Sequence, residues 1–168
     1  ATLLIALVLG IPAGMLATSR YGRLPDTLVR SVAALGQAIP TFYLGVVCIL
    51  FFSVWLGWLP TGGRGGLREL VLPATTLSVT ILALVARVTR SCVLDVMQQD
   101  FIRTARAKGV SSRRILWRHA LRNALIPVTT VVALQIGVLM GGVIVTETVF
   151  SWPGIGRLAI QAINGRDY

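Results

Sequence analysis

Residues 1–19, ATLLIALVLGIPAGMLATS, contain no charged side chain, and Arg20 ends the run. A helix needs about 20 apolar residues to cross a bilayer core roughly 30 Å thick, so this stretch predicts a transmembrane helix. Neither an initiator Met nor a basic leading segment precedes it, which argues against a signal peptide. We therefore expect the sequence to be a piece of a longer protein.

The composition of the whole chain agrees with a membrane protein. Hydrophobic residues make up 55% of the sequence and charged residues 13%, and the mean hydropathy is +0.78. Soluble domains carry about 25% charged residues, so this chain has too little polar material to cover a globule in water. Lipid is the expected solvent.

Three further runs of low charge are expected to enter the membrane. Residues 31–63 are uncharged but too long for one crossing, so part of this run is expected to be loop, with a kink at Pro40. Residues 70–86 are short for a span, although flanking arginines can reach the headgroups. Residues 123–146 are long enough alone, and Glu147 marks their far end. The sequence predicts an all-α polytopic membrane protein with about four transmembrane helices.

Basic residues are concentrated on one side of this topology. Four crossings place segments 20–30 and 87–122 on the same side, and these segments hold twelve of the 16 Lys and Arg residues. The other side has Arg64, Arg68, Arg157 and Arg166. By the positive-inside rule, segments 20–30 and 87–122 are cytoplasmic.

The basic segment has an internal pattern that topology alone does not explain. Asp100 can cap a short helix over residues 101–108, and Gly109 can end it in the left-handed conformation. Such a helix is too short and too polar to cross a bilayer. We expect it to lie outside the membrane.

A second, amphipathic helix is predicted to follow. Ser111 or Ser112 can cap it, and Arg114, Arg118 and Arg122 then repeat every four residues. Leu116, Trp117, Ala120, Leu121 and Ala124 fall on the other side. One interpretation is a helix on the lipid surface that binds anionic headgroups.

Several motifs resemble those of one family of transporters, the permeases of binding-protein-dependent ABC importers in the dipeptide, oligopeptide and nickel branch. RTARAKG (103–109) followed by RHALRNALIP (118–127) is similar to their cytoplasmic EAA-type loop. Further similar stretches are RYGRLPD (20–26), GQAIPTFYLG (36–45), FFSVWLGWLPTGG (51–63) and ETVFSWPGIGRLAIQAINGRDY (147–168). Aligned on Gly109, Arg103 and Thr104 stand where the general EAA pattern has Glu and its first Ala.

The resemblance implies the permease helical bundle of a bacterial or archaeal plasma membrane. Residues 1–168 would form one transmembrane domain with the second to fifth of six helices. A cytoplasmic coupling loop would cover about 90–122 and an external tail about 150–168. The residues implied to contact an ATPase are Asp100, Arg103, Thr104, Ala105, Arg106, Ala107, Lys108 and Gly109.

The resemblance also implies a set of partners. These are cytoplasmic ABC ATPase subunits, a second homologous permease, an extracytoplasmic solute-binding protein and membrane lipid. The phosphate-binding pattern GxxxxGK[ST] is absent from the sequence, so ATP and Mg are assigned to the partner ATPase and no cofactor to this chain. The implied cargo is a di- or oligopeptide, nickel, glutathione or another small solute.

The sequence does not predict an enzyme or a metal site. His119, the single histidine, lies in a basic segment without a paired carboxylate, so a surface or packing role is expected. Cys48 and Cys92 are expected to be free thiols.

Polar residues in or at the end of apolar runs are candidates for the translocation path because burying them unpaired is costly. They are Gln37, Thr41, Gln135 and Glu147. Hydrogen bonding between helices is the alternative for the two glutamines. The spacings Gly10–Gly14 and Gly137–Gly141 predict close helix packing.

Two other functions would use some of the same features. A soluble nucleic-acid binder could use the same arginines on phosphates, but four apolar runs exclude a soluble protein, and no nucleic-acid partner is expected. A secondary transporter or channel, not driven by ATP, is the alternative because it too has kinked helices and polar groups within the membrane.

Overall fold

The computed structural model describes residues 1–63, 66–154, 156, 158, 162, 163 and 165, and gives only the backbone helix for residues 140–143. Helices make up most of these residues and none of them lies in a strand, which confirms the all-α prediction. The α-helices are α1 (Thr2–Ser19), α2 (Leu24–Ala38), α3 (Thr41–Cys48), α4 (Leu67–Met97), α5 (Asp100–Ala107), α6 (Ser112–Arg114) and α7 (Leu121–Val149). Two π-helical segments extend them: Ile49–Trp55 continues α3, and Ile115–Ala120 joins α6 to α7.

Four parts of the chain are long and apolar enough to cross a membrane. They are α1, α4, the helix that runs from Ser112 to Leu139, and the bent pair of α2 with the helix Thr41–Trp55. The number of spans agrees with the sequence prediction when the bent pair counts as one. The fold is therefore that of a polytopic helical membrane protein.

The predicted kink at Pro40 is a complete break. The two helices on either side are bent by 98°. Ile39 is extended, with φ −80° and ψ 124°, because the residue before a proline is driven out of the α conformation. Pro40 then starts α3 rather than continuing α2.

The helix boundaries show that two segments predicted to be cytoplasmic loops are partly helical. α2 begins at Leu24, so most of segment 20–30 is helical. α4 has 31 residues, far more than 70–86, and residues 90–97 of the predicted coupling loop belong to it. At 1.5 Å per residue, α4 is roughly 46 Å long and extends beyond the hydrocarbon core. Its arginines mark the edge of the apolar surface, not the end of the helix.

α1 and α4 run parallel and in close contact. Gly10 lies opposite Val85, and Gly14 lies opposite Ala86 and Thr89, one turn further along both helices. A Cβ atom at position 14 would be 2.6 Å from the Ala86 carbonyl oxygen, so only glycine permits this approach. The packing predicted for Gly10–Gly14 is confirmed.

The second glycine pair does not pack in the same way. No atom lies within 4 Å of the position that a Cβ of Gly137 would take. Its predicted partner Gly141 is among the residues whose side-chain surroundings lie outside the description. Within the described chain, this face of α7 has no helix against it.

α2 and α7 run antiparallel to α4. Gly36 of α2 packs against Val79, while Asp26, at its start, pairs with Arg90 near the end of α4. In α7, Val128 packs beside Val85. The ends of α1 and α4 and the starts of α2 and α7 therefore meet at one end of the bundle, as the four-crossing topology predicts.

A compact hydrophobic cluster fills this basic end of the bundle. Its buried members come from α1, α4, α5, α7 and the π-helical segment Ile115–Ala120. They are Met15, Val93, Val96, Ile102, Ile115, Leu116, Ala120 and Ala124. The segment between α4 and α7 is therefore packed onto the bundle.

At the opposite end of the bundle, the chain packs around the buried side chain of Phe150. Its ring contacts Gly45 of α3, and its carbonyl oxygen accepts a hydrogen bond of 3.2 Å from the Gly63 N–H. The Trp152 N–H then donates to the Glu147 carbonyl at 2.8 Å. About half of the predicted external tail 150–168 lies outside the described residues, as do Arg64, Arg157 and Arg166.

Candidate functional site

The helix α5 lies where the sequence places the ATPase-contacting segment. It begins one residue before the predicted helix, and Gln99, not Asp100, is its N-cap residue. Because the helix already starts after Gln99, Asp100 occupies its first turn. A carboxylate there still stabilises the helix through its attraction to the positive end of the helix dipole. The Asp100 carboxylate accepts a hydrogen bond of 3.3 Å from Arg103, and both side chains are exposed.

Gly109 ends α5 as predicted. Its φ of +75° is in the left-handed region, which residues with a Cβ rarely adopt. The Val110 N–H donates to the Ala105 carbonyl at 3.2 Å, and the Gly109 N–H donates to the Arg106 carbonyl at 2.9 Å. These two bonds form a Schellman motif, which fixes the direction in which the chain leaves the helix.

One buried side chain attaches α5 to the bundle. Ile102 is 0% exposed and packs in the cluster with Val93 and Val96 of α4 and with Ile115 and Leu116 of the π-helical segment. Burial of a side chain of this size contributes about 1.5–3 kcal/mol. The position of α5 is thus tied to the end of α4.

The rest of α5 faces away from the bundle. The exposed residues are Asp100, Phe101, Arg103, Thr104, Arg106, Ala107, Lys108 and Gly109, whereas Ala105 is half-buried. Asp100 is paired with Arg103, whereas Arg106 and Lys108 have no ion pair within the described part of the chain. Phe101, at 40% exposure, adds an apolar group. A surface with this mixture suits contact with another protein.

The amphipathic helix predicted after Ser111 begins at Ser112, with Ser111 as its N-cap residue. The three arginines at positions 114, 118 and 122 are exposed, while Leu116, Ala120 and Ala124 are buried. Trp117 departs from the prediction because it is 49% exposed. The π-helical bonds of Ile115–Ala120 place more residues in each turn, so the helical spacing of 3.6 does not hold here.

Sequence reasoning missed an ion pair beside this segment. Asp26, only 2% exposed, accepts hydrogen bonds from Arg90 Nε at 2.6 Å and Arg90 Nη2 at 2.9 Å. It also accepts the Gly22 N–H at 3.0 Å, and the Arg90 guanidinium lies 5.3 Å from the centre of the Tyr21 ring. This bidentate pair joins the start of α2 to the end of α4. The sequence shows only two charges 64 positions apart, without a signal that pairs them.

The predicted path residues lie on different helices. Gln37, near the end of α2, accepts a hydrogen bond from Arg87, and its buried amide nitrogen has no partner among the described residues. Thr41 is the first residue of α3, directly after the break. Gln135 is half-buried in the middle of α7. Among the contacts of the described residues, Gln37 shows the interhelical hydrogen bond that is the alternative for both glutamines, and Gln135 does not.

Glu147 is 8% exposed and lies at the end opposite the arginines. It borders a cavity of about 190 Å³ together with Thr2 of α1, Pro73 of α4 and Trp152. The carboxylate is packed against Gly154, so a side chain at position 154 would displace it. This position makes Glu147 part of the closed end of the bundle.

The described residues contain no group of three or more His, Cys, Asp or Glu side chains that could hold a metal ion. Cys48 and Cys92 are both free thiols, as expected. His119 is half-buried, and its backbone carbonyl accepts a hydrogen bond of 2.7 Å from the Asn123 side chain.

Comparison with known proteins agrees with this geometry. The chain is 47% identical over 163 residues to the glutathione transport system permease protein GsiC of Escherichia coli strain K12, covering 97% of this chain and 53% of that protein. It is 43% identical over 196 residues to the di/tripeptide transport system permease protein DppB of Pseudomonas aeruginosa, covering 100% of this chain and 58% of that protein. The chain thus spans little more than half the length of these relatives. Residues 10–168 match the family described as binding-protein-dependent transport system inner membrane component, and the chain belongs to that family.

Proposed function

We propose that this chain is the larger part of a permease subunit in an ATP-driven importer, where it helps to form the path of a small solute. The observation that carries the proposal is α5, a polar helix held to the bundle by the buried Ile102 and the half-buried Ala105, with its other side chains exposed. Family membership supplies the context: inner-membrane components of such systems work with a binding protein. α5 is the proposed contact for a cytoplasmic ATPase.

The packing of α5 supports mechanical coupling. Ile102 is enclosed by α4 and by the segment that leads into α7, so a displacement of α5 also displaces these two helices. α4 in turn is packed along α1 through Gly10 and Gly14 and is joined to α2 by the Asp26–Arg90 pair. Closely packed interfaces transmit such shifts because they cannot deform continuously.

The energy source is assigned to a partner. No phosphate-binding GxxxxGK[ST] pattern occurs in the 168 residues, so ATP and Mg are proposed to bind a separate ATPase subunit. A second homologous permease and an extracytoplasmic binding protein complete the proposed assembly. The exposed face of α7 around Gly137, which no helix of the described chain covers, is available to the second permease.

The proposed cargo is a small peptide, glutathione included. The support is that the two relatives are named for glutathione and for di- and tripeptides. Gln37, Thr41, Gln135 and Glu147 remain the proposed polar residues of the path. The buried amide nitrogen of Gln37, which has no partner among the described residues, supports its inclusion because leaving such a donor without a hydrogen bond is costly.

The energy source can be tested with the full-length permease and its partner subunits in proteoliposomes. We expect uptake of labelled peptide that needs ATP inside, needs the loaded binding protein outside, and stops with vanadate. Uptake driven by an ion gradient alone would identify a secondary transporter. Competition among unlabelled glutathione, a dipeptide and Ni²⁺ tests the cargo in the same assay.

The role of α5 can be tested by replacing Phe101 with Ala in the full-length permease. Because Phe101 is 40% exposed, the substitution leaves the hydrophobic cluster intact but removes an apolar contact from the proposed docking face. We expect co-purification of the ATPase in mild detergent to fall about tenfold, a typical effect for an apolar interface residue. The matched control is Leu24→Ala, which truncates a 79% exposed side chain at the same end of the bundle. Equal ATPase recovery with both variants would place the docking surface elsewhere.

A further inference from the structure

A groove between α2 and α4 opens at the arginine-rich end of the bundle. Its volume is about 510 Å³. The polar residues that line it are Thr27, Arg30, Ser31, Arg87 and Arg90. Cavities with several arginines and hydroxyl groups between transmembrane helices are typical binding sites for phosphate-bearing headgroups.

The arginines give this groove an excess of positive charge. Arg90 is neutralised by Asp26, and Arg87 donates a hydrogen bond to the uncharged Gln37. Arg30 is exposed, and no ion pair of Arg30 occurs in the described part of the chain. No carboxylate side chain is among the residues that line the groove. Two positive charges are therefore available to an anion.

The same groove continues as an apolar channel along α2 towards the middle of the bundle. This second part has a volume of about 380 Å³ and shares Val29, Ala33 and Ala86 with the basic part. Its other lining residues are Ala13, Leu28, Val32, Gly36, Val79, Leu82 and Ala83. A ligand that fills both parts must carry a negative charge at one end and a hydrocarbon chain at the other.

We propose that this groove binds one anionic phospholipid of the cytoplasmic leaflet. Its phosphate would lie between Arg30 and Arg87, with hydrogen bonds from the hydroxyl groups of Thr27 and Ser31. One acyl chain would follow the apolar part past Val32 and Gly36. The site lies at the end of the bundle that the positive charges assign to the cytoplasm, where anionic lipids attract arginine.

The shape and lining of the groove favour a phospholipid. The apolar part extends along α4 from Val79 to Ala86, about 10 Å at 1.5 Å per residue. Every residue that lines this part is apolar, and it joins the arginine-rich part directly through Val29, Ala33 and Ala86. An anionic group and a hydrocarbon chain on one molecule match these two parts.

The test uses the full-length permease complex in nanodiscs with equal amounts of phosphatidylglycerol and phosphatidylcholine. After extraction in mild detergent, the retained lipids are identified and counted by native mass spectrometry. We expect about one retained phosphatidylglycerol per permease. Arg30→Gln and Arg87→Gln should each weaken retention about fivefold, and the double variant about thirtyfold.

Two controls make the result specific to this groove. Arg23→Gln removes the same charge from the same end of α2 but from outside the groove, so it should retain the lipid. Val29→Trp blocks the junction of the two parts without changing charge and should lose the lipid, whereas Leu35→Trp, on the exposed face of α2, should keep it.

Three results would overturn the proposal. The first is equal phosphatidylglycerol retention by the double arginine variant and Arg23→Gln. The second is unchanged retention by Val29→Trp, which would show that the acyl chain does not enter the groove. The third is a structure of the complete complex in which a protein helix fills the groove. Each of these leaves the ATP-driven transport assay unaffected, so the two proposals fail independently.

Discussion

Asp26 at the start of α2 and Arg90 near the end of α4 form an ion pair that joins the two helices. The Asp26 carboxylate is almost fully buried and is satisfied by the Arg90 guanidinium and the Gly22 N–H. Removing one member of such a pair leaves the other charge buried without a partner, which is much more costly than the net gain from forming the pair.

Asp26→Asn should therefore destabilise the full-length permease by about 3 kcal/mol or more. The loss can be measured as a lower midpoint of thermal unfolding in detergent. Asp100→Asn is the matched control because its partner Arg103 and Asp100 itself are both exposed, so little change is expected. Equal shifts in the two variants would show that the Asp26–Arg90 pair does not hold α2 to α4.

At this scale, the sequence predicts residues whose role is local and misses those whose role depends on packing. Gly109 could be assigned because a helix end and its left-handed turn involve only neighbouring residues. Asp26 could not, because its partner is brought close only when α2 and α4 pack antiparallel. Trp117 was placed on the wrong side because a π-helical turn gives no known pattern in a single sequence.

At the scale of the elements, α5 combines a fixed position with an exposed surface. Its start and end were predicted to within one residue because polar caps and glycine mark them. The length of α4 was underestimated because arginines mark the edge of the lipid, and a helix continues through that edge. The break at Pro40 was expected as a kink, since the sequence does not show that α3 packs against α7 rather than continuing the line of α2.

The left-handed turn after α5 gives a prediction for this element. Gly109→Val should strain the backbone by about 1–2 kcal/mol and redirect the segment that follows. The full-length variant should reach the membrane at a normal level but lose uptake and ATPase co-purification. Gly109→Asn serves as the control because asparagine tolerates this conformation and should retain most activity. Normal uptake by the valine variant would show that the direction of the turn does not matter for transport.

At the scale of the whole molecule, the parallel packing of α1 and α4 fixes which ends lie on the same side. The basic ends of both helices meet α5 and the start of α7, while Phe150 closes the other end. The family, the number of spans and the uneven charge were all accessible from the sequence. The closed end around Phe150 was not, because it joins three segments that are far apart along the chain.

The orientation in the membrane can be checked by cysteine labelling of the full-length permease. Cys48 and Cys92 are first replaced by Ala, and single cysteines are then placed at Thr61 and Ser112, which are exposed at opposite ends of the bundle. In whole cells, a membrane-impermeant maleimide should label position 61 only. Position 112 should react only after the membrane is permeabilised, which gives the maleimide access to the cytoplasmic side. The reverse pattern would invert the topology.

Phe150 has a consequence for biogenesis. A chain synthesised from its N-terminus exposes α3 and the Gly63 N–H to the insertion machinery long before Phe150 leaves the ribosome. The outer end of the bundle can therefore close only after α7 has crossed the membrane, and until then α3 lacks the ring that packs against Gly45. The last helix of this region thus completes the folding of helices inserted well before it.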